Sequence, residues 1–499
     1  MLRSIIKDLI LWIIASVICI LWRVIASKSG INAYWVLFAA MMGVWMLLSL
    51  VFGKYRSYKV TWYWQDMLAL VAIVGIEIGL SYIVLPKLNF GLSPVVASWT
   101  VAIVAVIDFV IILFVHYWKY AQNLTVPPMK IEKRAEAQCT REDEQRSQTS
   151  LETVHQAVLS LTTEEDYQLL LHKAHLGSRQ TKVVANRDRF SFMQIPDYQY
   201  KTLVDLTLLN DAKGINRRFC IVNQKLPDKG LYVCCYRPQE YVKQKLLDRY
   251  PKGLNRIIYA FWFFVRRVIP RLMLSSRLYY DLTKGRKRML SRTEVLGRLY
   301  YCGFEVLDEI PSGHIVYVFA RRHSQPYPQE QIKVYGPIIK LARVGKNKQL
   351  VHFYKFRTMH PYAEYIQKYV FDKRGGMSIA DKSEDDFRIT SWGKIMRKYW
   401  LDELPMLINW VKRDCKLVGV RPLSQTMFNQ YPKDLQDKRT RCKPGLIPPF
   451  YIDHPNDFES LFVSENKYLD EYFEHPIKTD LKYLFMTIHS ILFGKMHSA

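Results

Sequence analysis

Two adjacent acids, Asp402 and Glu403 in the run LDELP, are the residues of this 499-residue chain best suited to chemistry. An ionised aspartate is a competent nucleophile toward phosphorus, and a neighbouring glutamate is a hard oxygen ligand for a cation such as Mg2+. Acids at a helix start ordinarily serve as capping and dipole partners, so the pair gains meaning only from its surroundings. Those surroundings are cationic. Arg343, Lys346, Lys355, Arg357, Arg388, Arg421, Arg441 and Lys443 recur near the turn glycines Gly345, Gly393, Gly419 and Gly445. Each alone reads as a solvated surface charge; as an ordered set they supply the lining a diphosphate would need.

A helix must hold the acids. Leu404, Leu407, Ile408 and Val411 fall at i, i+3, i+4 and i+7, and Pro405 suits a first turn. The spacing predicts a short amphipathic helix with Asp402 and Glu403 at its N-terminus. There the helix dipole, with Arg397 and Lys398 nearby, would favour ionised carboxylates.

Upstream, four apolar stretches at Leu9–Ala26, Tyr34–Phe52, Met67–Leu85 and Ser98–Trp118 each approach the ~20 residues that a helix needs to cross a bilayer. Basic residues Arg3, Lys7, Lys54, Arg56, Lys59, Lys119 and Lys130 flank them on the side that should stay cytosolic. Glu77 and Asp108 fall inside spans without evident partners, which suggests neutral carboxyls bonded between helices. The predicted fold class is a four-span membrane α-helical bundle (1–121), then a cytosolic α/β domain (151–325) after a charged linker (122–150), then a mainly α, membrane-associated catalytic domain (326–499). Strand-like runs at Lys182–Ala185, Phe219–Val222 and Leu231–Tyr236, helix-like runs at Ser150–Leu161 and Gln239–Asp248, and a strand pair at Phe304–Ile310 and His314–Arg321 carry the α/β assignment. It has no GxGxxG and no P-loop, which leaves its role open. Within it, 254–275 joins the apolar run Ile257–Val265 to Arg266, Arg267, Pro270 and Arg271. That segment suits an amphipathic or re-entrant helix in contact with anionic lipid.

With 71 Lys and Arg against 45 Asp and Glu, the chain carries a net +26, and residues 251–300 alone contribute +10. An anionic partner is implied. The eight cysteines form no CxxC pair and no metal-ligand spacing, which argues against a zinc module or a disulfide framework. Nucleic acid is disfavoured as the partner, because no recognition motif accompanies the charge and the basic residues sit beside apolar segments.

In order, the chain reads GP, RVGKN, YKFRTM, RIT, LDELP, LVG-RP and KPG, closing with Asp470, Tyr472 and Asp480. This series, over about Val334 to Ala499, resembles the bacterial sugar transferase family of monotopic phosphoglycosyl transferases. The resemblance implies that Asp402 attacks the sugar-linked phosphorus of a nucleotide sugar, expected to be UDP-linked, and that undecaprenyl phosphate then takes the phosphosugar to start a surface glycan. It further implies catalytic roles for Asp402 and Glu403, Mg2+ on Glu403, and substrate binding by Arg343, Lys355, Arg357, Arg388, Arg421 and Arg441. The expected site of action is the inner membrane with the catalytic domain facing the cytosol. Three positions depart from the family pattern: Leu341-Ala342 before RVG, Val420 before Arg421-Pro422, and Leu423 after it. The family's membrane hairpin precedes GP closely, whereas here the nearest counterpart, Ile257–Leu272, lies over sixty residues upstream. The competing reading is a catalytically silent scaffold of a glycan-assembly complex. Homo-oligomerisation is compatible with either.

Overall fold

In the computed structural model, residues 2–26, 31–55, 63–87, 93–119, 121–124, 126, 129–131, 145–185, 190–271, 276–328, 336–374, 386–453, 455 and 457–492 are described. The charged run of the linker (132–144) and Leu272 lie outside them. The chain divides into two compact units, Met1–Ala121 and Gln122–Ala499.

The first unit holds α1 (Leu2–Ala26), α2 (Ile31–Val51), α3 (Tyr63–Val84) and α4 (Pro94–Lys119). Among the described residues three helices are long and apolar enough to cross a membrane: Tyr34–Val51, Gln65–Lys87 and Pro94–Lys119. α1 packs against α2 and α4 through a core that includes Trp12, Ala15, Trp45, Ile73 and Val101. The expectation of a neutral, unmatched Asp108 is corrected. Its carboxylate pairs with Lys7 of α1 and, at 2.6 Å, with Lys54 just after α2. Lys54 also reaches Asp8 at 2.8 Å, and Asp8 accepts from Trp45 Nε1 and Tyr55 Oη. Two cations thus answer two buried anions, which is how charge is tolerated in an apolar bundle. Glu77 is buried, and neither carboxyl oxygen has a hydrogen-bond partner among the described residues.

The second unit begins with β1 (Gln122–Asn123), α5 (Gln148–Leu159), α6 (Glu164–Lys173), β2 (Thr181–Val184), α7 (Phe190–Met193), β3 (Thr202–Leu208), α8 (Ile215–Lys225) and β4 (Leu231–Tyr236). It continues with α9 (Gln239–Arg249), α10 (Leu254–Phe263), α11 (Ser276–Thr283), α12 (Arg292–Tyr301), β5 (Phe304–Ser312) and β6 (Ile315–Arg322). β2, β3 and β4 are parallel, while β6 runs antiparallel between β4 and β5, giving a mixed sheet in the order β2-β3-β4-β6-β5. Alternation divides the strands between two cores. Leu203, Tyr232, Cys234 and Tyr236 face α8 and α12; Val204, Leu206, Val233 and Cys235 face α5 and α6.

One strand assignment is corrected. Phe219–Val222 lies inside α8, where Ile215, Phe219 and Val222 form the buried stripe of a helix that Leu226 continues just past its end. The strand at that point of the sheet is instead β3. It has Asp205 at its centre, neutralised by Arg218 of α8 at 2.6 Å and accepting a hydrogen bond from the Tyr232 hydroxyl at 3.0 Å.

The remainder comprises β7 (Ile338–Val344), β8 (Leu350–Phe356), α13 (Gln367–Arg374), α14 (Ser391–Lys398), α15 (Leu407–Val411), β9 (Lys416–Val418), α16 (Gln425–Phe428), α17 (Lys433–Thr440), β10 (Gly445–Ile447), α18 (Phe450–Asp453), α19 (Phe458–Glu474) and α20 (Pro476–Leu492). β8 pairs antiparallel with β7, whose other edge takes β1. The core under the five-stranded sheet also contains Tyr362, Ile366, Tyr369 and Val370, from the segment that follows β8. Gly297 of α12 permits this closeness, since a Cβ there would stand 2.3 Å from the Tyr362 carbonyl oxygen.

Candidate active site

Asp402 and Glu403 sit in a 3-10 stretch, Leu401–Met406, that runs directly into α15. Trp400, with φ of 53°, turns the chain into it from α14. The predicted helix is therefore shorter than its apolar spacing suggested, and its apolar stripe faces outward. Asp402 is only 8% exposed, with Pro405, Met406 and Asn409 buried beside it. Leu401, Leu404, Leu407, Trp410 and Val411 are exposed, as are Trp392, Ile395 and Tyr399 on the adjoining α14. The acids thus point inward from an apolar outer surface, the arrangement expected where the outer medium is lipid or headgroup and not bulk water.

Asn409 fixes this stretch to β8. Its Oδ1 accepts from Tyr354 N at 3.0 Å, and its Nδ2 donates to the His352 carbonyl at 2.8 Å and to Asp414 at 3.0 Å. The amide thereby occupies part of the free edge of β8. One residue beyond Tyr354 on that strand, Lys355 Nζ donates to Glu403 Oε1 at 2.6 Å.

The expectation that the helix dipole and nearby cations would make Asp402 readily ionised is also corrected. Burial raises its carboxyl above the usual aspartate range; Lys355 and Arg397 draw it back, and Glu403 pushes it further up. Desolvation outweighs the favourable charges. Arg397 is itself oriented by its Nε bond to Thr358 Oγ1 at 2.9 Å.

The other cations occupy different surroundings. Arg343, at the end of β7, is brought down to about 10, by burial and then by the like charge of Arg421. Two guanidinium groups near enough to repel are a receptor for an anion. Arg421 is exposed and stands 5.9 Å from the Phe450 ring. Arg357 is buried, with Nε donating to the Gly336 carbonyl. Arg388 is buried as well, and its guanidinium donates to both oxygens of Asp386 and to Gln367 at 2.5 Å, so these bonds tie it into the fold. Arg441 is exposed beside Asp437, Lys346 lies in the turn after β7, and Lys443 donates to the Arg413 carbonyl. The structure thus gathers Lys355 with the acids and Arg343 with Arg421, and gives Arg388 partners of its own.

Tyr451 is a neighbour that the sequence did not single out. Its ring packs on Trp400 at 5.8 Å, and its hydroxyl is raised by burial and then by Glu403, while Arg421 opposes the shift. Its signal was an aromatic pair, Phe450-Tyr451, placed just after KPG. The KPG and LVG glycines serve close packing. A Cβ on Gly445 would stand 2.1 Å from Gly419 N, so β9 and β10 approach only because both residues lack side chains.

Among the described residues no group of three or more His, Cys, Asp and Glu gathers as a metal cluster. The oxygen donors at hand are the two carboxylates of Asp402 and Glu403. That donor set fits Mg2+, which is commonly held by one or two carboxylates and completed by substrate phosphates.

Residues 330–494 match the family described as bacterial sugar transferase. The chain is 36% identical over 163 residues to "Galactosyl transferase CpsE" of Streptococcus agalactiae serotype III, covering 32% of this chain and 35% of that protein. It is 28% identical over 222 residues to "Undecaprenyl-phosphate galactose phosphotransferase" of Salmonella typhimurium, covering 43% of each. With "Uncharacterized sugar transferase EpsL" of Bacillus subtilis it shares 32% identity over 165 residues, covering 32% of this chain and 73% of that protein. The match therefore spans less than half the length of the first two relatives and most of the third. Together with the LDELP and YKFRTM segments and their placement around one acidic pair, this extent of likeness means that the chain belongs to the bacterial sugar transferase family.

Proposed function

We propose that the protein transfers a sugar-1-phosphate from a nucleotide diphosphate sugar, UDP-linked, to undecaprenyl phosphate. The observation that carries this reading is the inward-facing Asp402–Glu403 pair, backed by Lys355 and surrounded on the outside by apolar side chains. A soluble phosphorylated donor and a lipid-borne acceptor can both reach such a site.

In the first step an ionised Asp402 oxygen attacks the phosphorus that bears the sugar, and the bond from that phosphorus to the bridging oxygen of the nucleotide breaks. Nucleoside monophosphate leaves, and a phosphosugar–aspartate remains. In the second, a phosphate oxygen of the lipid attacks the same phosphorus; the Asp402 carboxylate is released and a polyprenyl diphosphosugar forms. Arg343 and Arg421 hold the donor's diphosphate by charge. Lys355 orients Glu403 and, with Arg397, keeps part of the Asp402 population ionised. Mg2+ held by Glu403 and the substrate would offset diphosphate charge. The four N-terminal helices anchor the chain in the inner membrane with both ends in the cytosol. The exposed apolar faces of α14, α15 and α10 rest in the anionic leaflet, and the product initiates a surface glycan.

The test is covalent trapping. Folded protein given a radiolabelled UDP-sugar without lipid phosphate should gain label on the peptide carrying Asp402, and added undecaprenyl phosphate should discharge it. A set of common UDP-sugars that leaves no label and releases no uridine monophosphate would defeat the assignment and favour the silent scaffold.

A further inference from the structure

Arg267 occupies a place that neither the charge count nor the proposed chemistry requires. α10 ends in a π-helical stretch, Phe264–Val268, followed by a 3-10 turn, Ile269–Arg271, that contains Pro270. A π-helical stretch takes more residues per turn and so resets which side chains face inward. Leu254, Ile257, Phe261 and Phe264 remain exposed, while Arg267 is 3% exposed.

The buried guanidinium is well supplied with acceptors. It donates to the Met289 carbonyl at 2.7 Å, Glu294 Oε2 at 2.9 Å and Ser291 Oγ at 3.0 Å. Its Nη2 also reaches His360 Nδ1 at 3.0 Å. A guanidinium can only donate, so this contact requires the His360 tautomer that carries its proton on Nε2. His360 lies 93 residues along the chain, directly after the YKFRTM segment.

That segment leads to the acids. The backbone N–H of His360 donates to the Arg388 carbonyl at 2.8 Å. Two residues earlier, the Thr358 carbonyl accepts from both Thr390 N and Thr390 Oγ1 at the start of α14, and Thr358 Oγ1 accepts from Arg397. Three residues before Thr358, Lys355 meets Glu403. One short piece of chain, 355–360, is therefore fastened to Glu403 and Arg397 at one end and to Arg267 at the other.

We propose that Arg267 and His360 are positioning residues: their buried contact couples the amphipathic segment 254–271 to strand end 355–360 and so sets the placement of Lys355 and Arg397 around Asp402 and Glu403. The part of this that concerns turnover rests on the transferase reading above; the coupling itself does not. Neither residue touches the reacting atoms.

The test uses the full chain in lipid nanodiscs, with His360→Asn, His360→Leu, Arg267→Lys and the Arg267→Lys/His360→Leu double variant. Asparagine can present an oxygen where Nδ1 stood; leucine keeps bulk without an acceptor. Uridine monophosphate release should fall at least tenfold in kcat for His360→Leu and Arg267→Lys, with KM for the UDP-sugar within twofold of native. His360→Asn should return most of kcat, and the double variant should be no worse than the poorer single. Hydrogen exchange supplies a readout independent of turnover. Amides of peptides covering 355–360 and 390–403 should exchange faster in His360→Leu and Arg267→Lys than in native or His360→Asn protein. Native exchange in all variants overturns the coupling, as do unchanged kcat in His360→Leu, equal loss in His360→Asn, or losses that multiply in the double variant. An inactive native protein with the expected exchange pattern would overturn the transferase reading and leave the coupling standing.

Discussion

Replacing Asn409 by leucine tests how the acidic pair is held. Leucine has the same branched skeleton but is bulkier and neither donates nor accepts, so Tyr354 N–H and the His352 carbonyl lose their partner and a fully buried position is crowded. The orphaned, buried Tyr354 N–H costs about 1–3 kcal/mol and crowding by the larger leucine adds to it, so a net loss of about 2–4 kcal/mol is expected. Thermal unfolding of the nanodisc-embedded protein, followed by tryptophan emission, should show the transition that includes Trp400 and Trp410 lowered by several degrees. Turnover should suffer beyond the stability loss. Asn409 lies six residues from Glu403, and a displacement near 1 Å at a reacting group can cost about 100-fold in rate. Asn409→Asp should not rescue, because its second oxygen would confront the His352 carbonyl and the Asp414 carboxylate. An Asn409→Leu protein with native unfolding temperature and native kcat would refute the claim that this amide fixes the 401–411 stretch on β8.

The pH dependence follows from the raised Asp402 carboxyl. Its ionised form is the nucleophile, so kcat/KM should fall on the acid side at higher pH than an ordinary aspartate would impose, and Lys355→Met should move that limb further toward alkaline pH. For stability the sign is opposite: the folded chain holds this proton more tightly than the unfolded chain, so the carboxyl favours folding in acid and loses that benefit as pH rises through its folded value. Asp402→Asn should therefore be at least as stable as native at neutral pH while losing turnover, and a less stable variant there would contradict the burial argument. Gly445→Ala, which places a methyl group 2.1 Å from Gly419 N, should destabilise by about 1–3 kcal/mol or more and weaken UDP-sugar binding through displacement of Arg421, measurable as a raised KM.

Several features were legible from residue order because their signals are local. Strand β4 was marked by its own apolar run, the hairpin β5–β6 by alternation and a turn, and the acidic pair by the motif around it. What stayed hidden depended on partners distant in sequence. Asp205 falls in the apolar run of β3, and its place there is explained only by the Arg218 ion pair and the Tyr232 hydrogen bond. Asp108 looked unmatched because Lys7 and Lys54 reach it only when α1, α2 and α4 pack. The spacing of Leu404, Leu407 and Val411 disclosed a stripe but not its direction; periodicity is the same whether a helix turns its apolar side to a core or to lipid. The Arg388 pairing, by contrast, is local: Asp386, its bidentate partner, stands only two residues before it.

The apolar face shared by the five-stranded sheet and Tyr362, Ile366, Tyr369 and Val370 bears on where this chain can be cut. These four side chains belong to the stretch that matches the family, yet they finish the interior of its neighbour. A gene shortened to that stretch would present them to water, and a transplanted sheet would arrive with a hole in its floor. Within this chain the two parts accordingly share one interior, and grafting the transferase segment of a shorter relative into it should require that relative's 362–370 counterpart to be recut to fit.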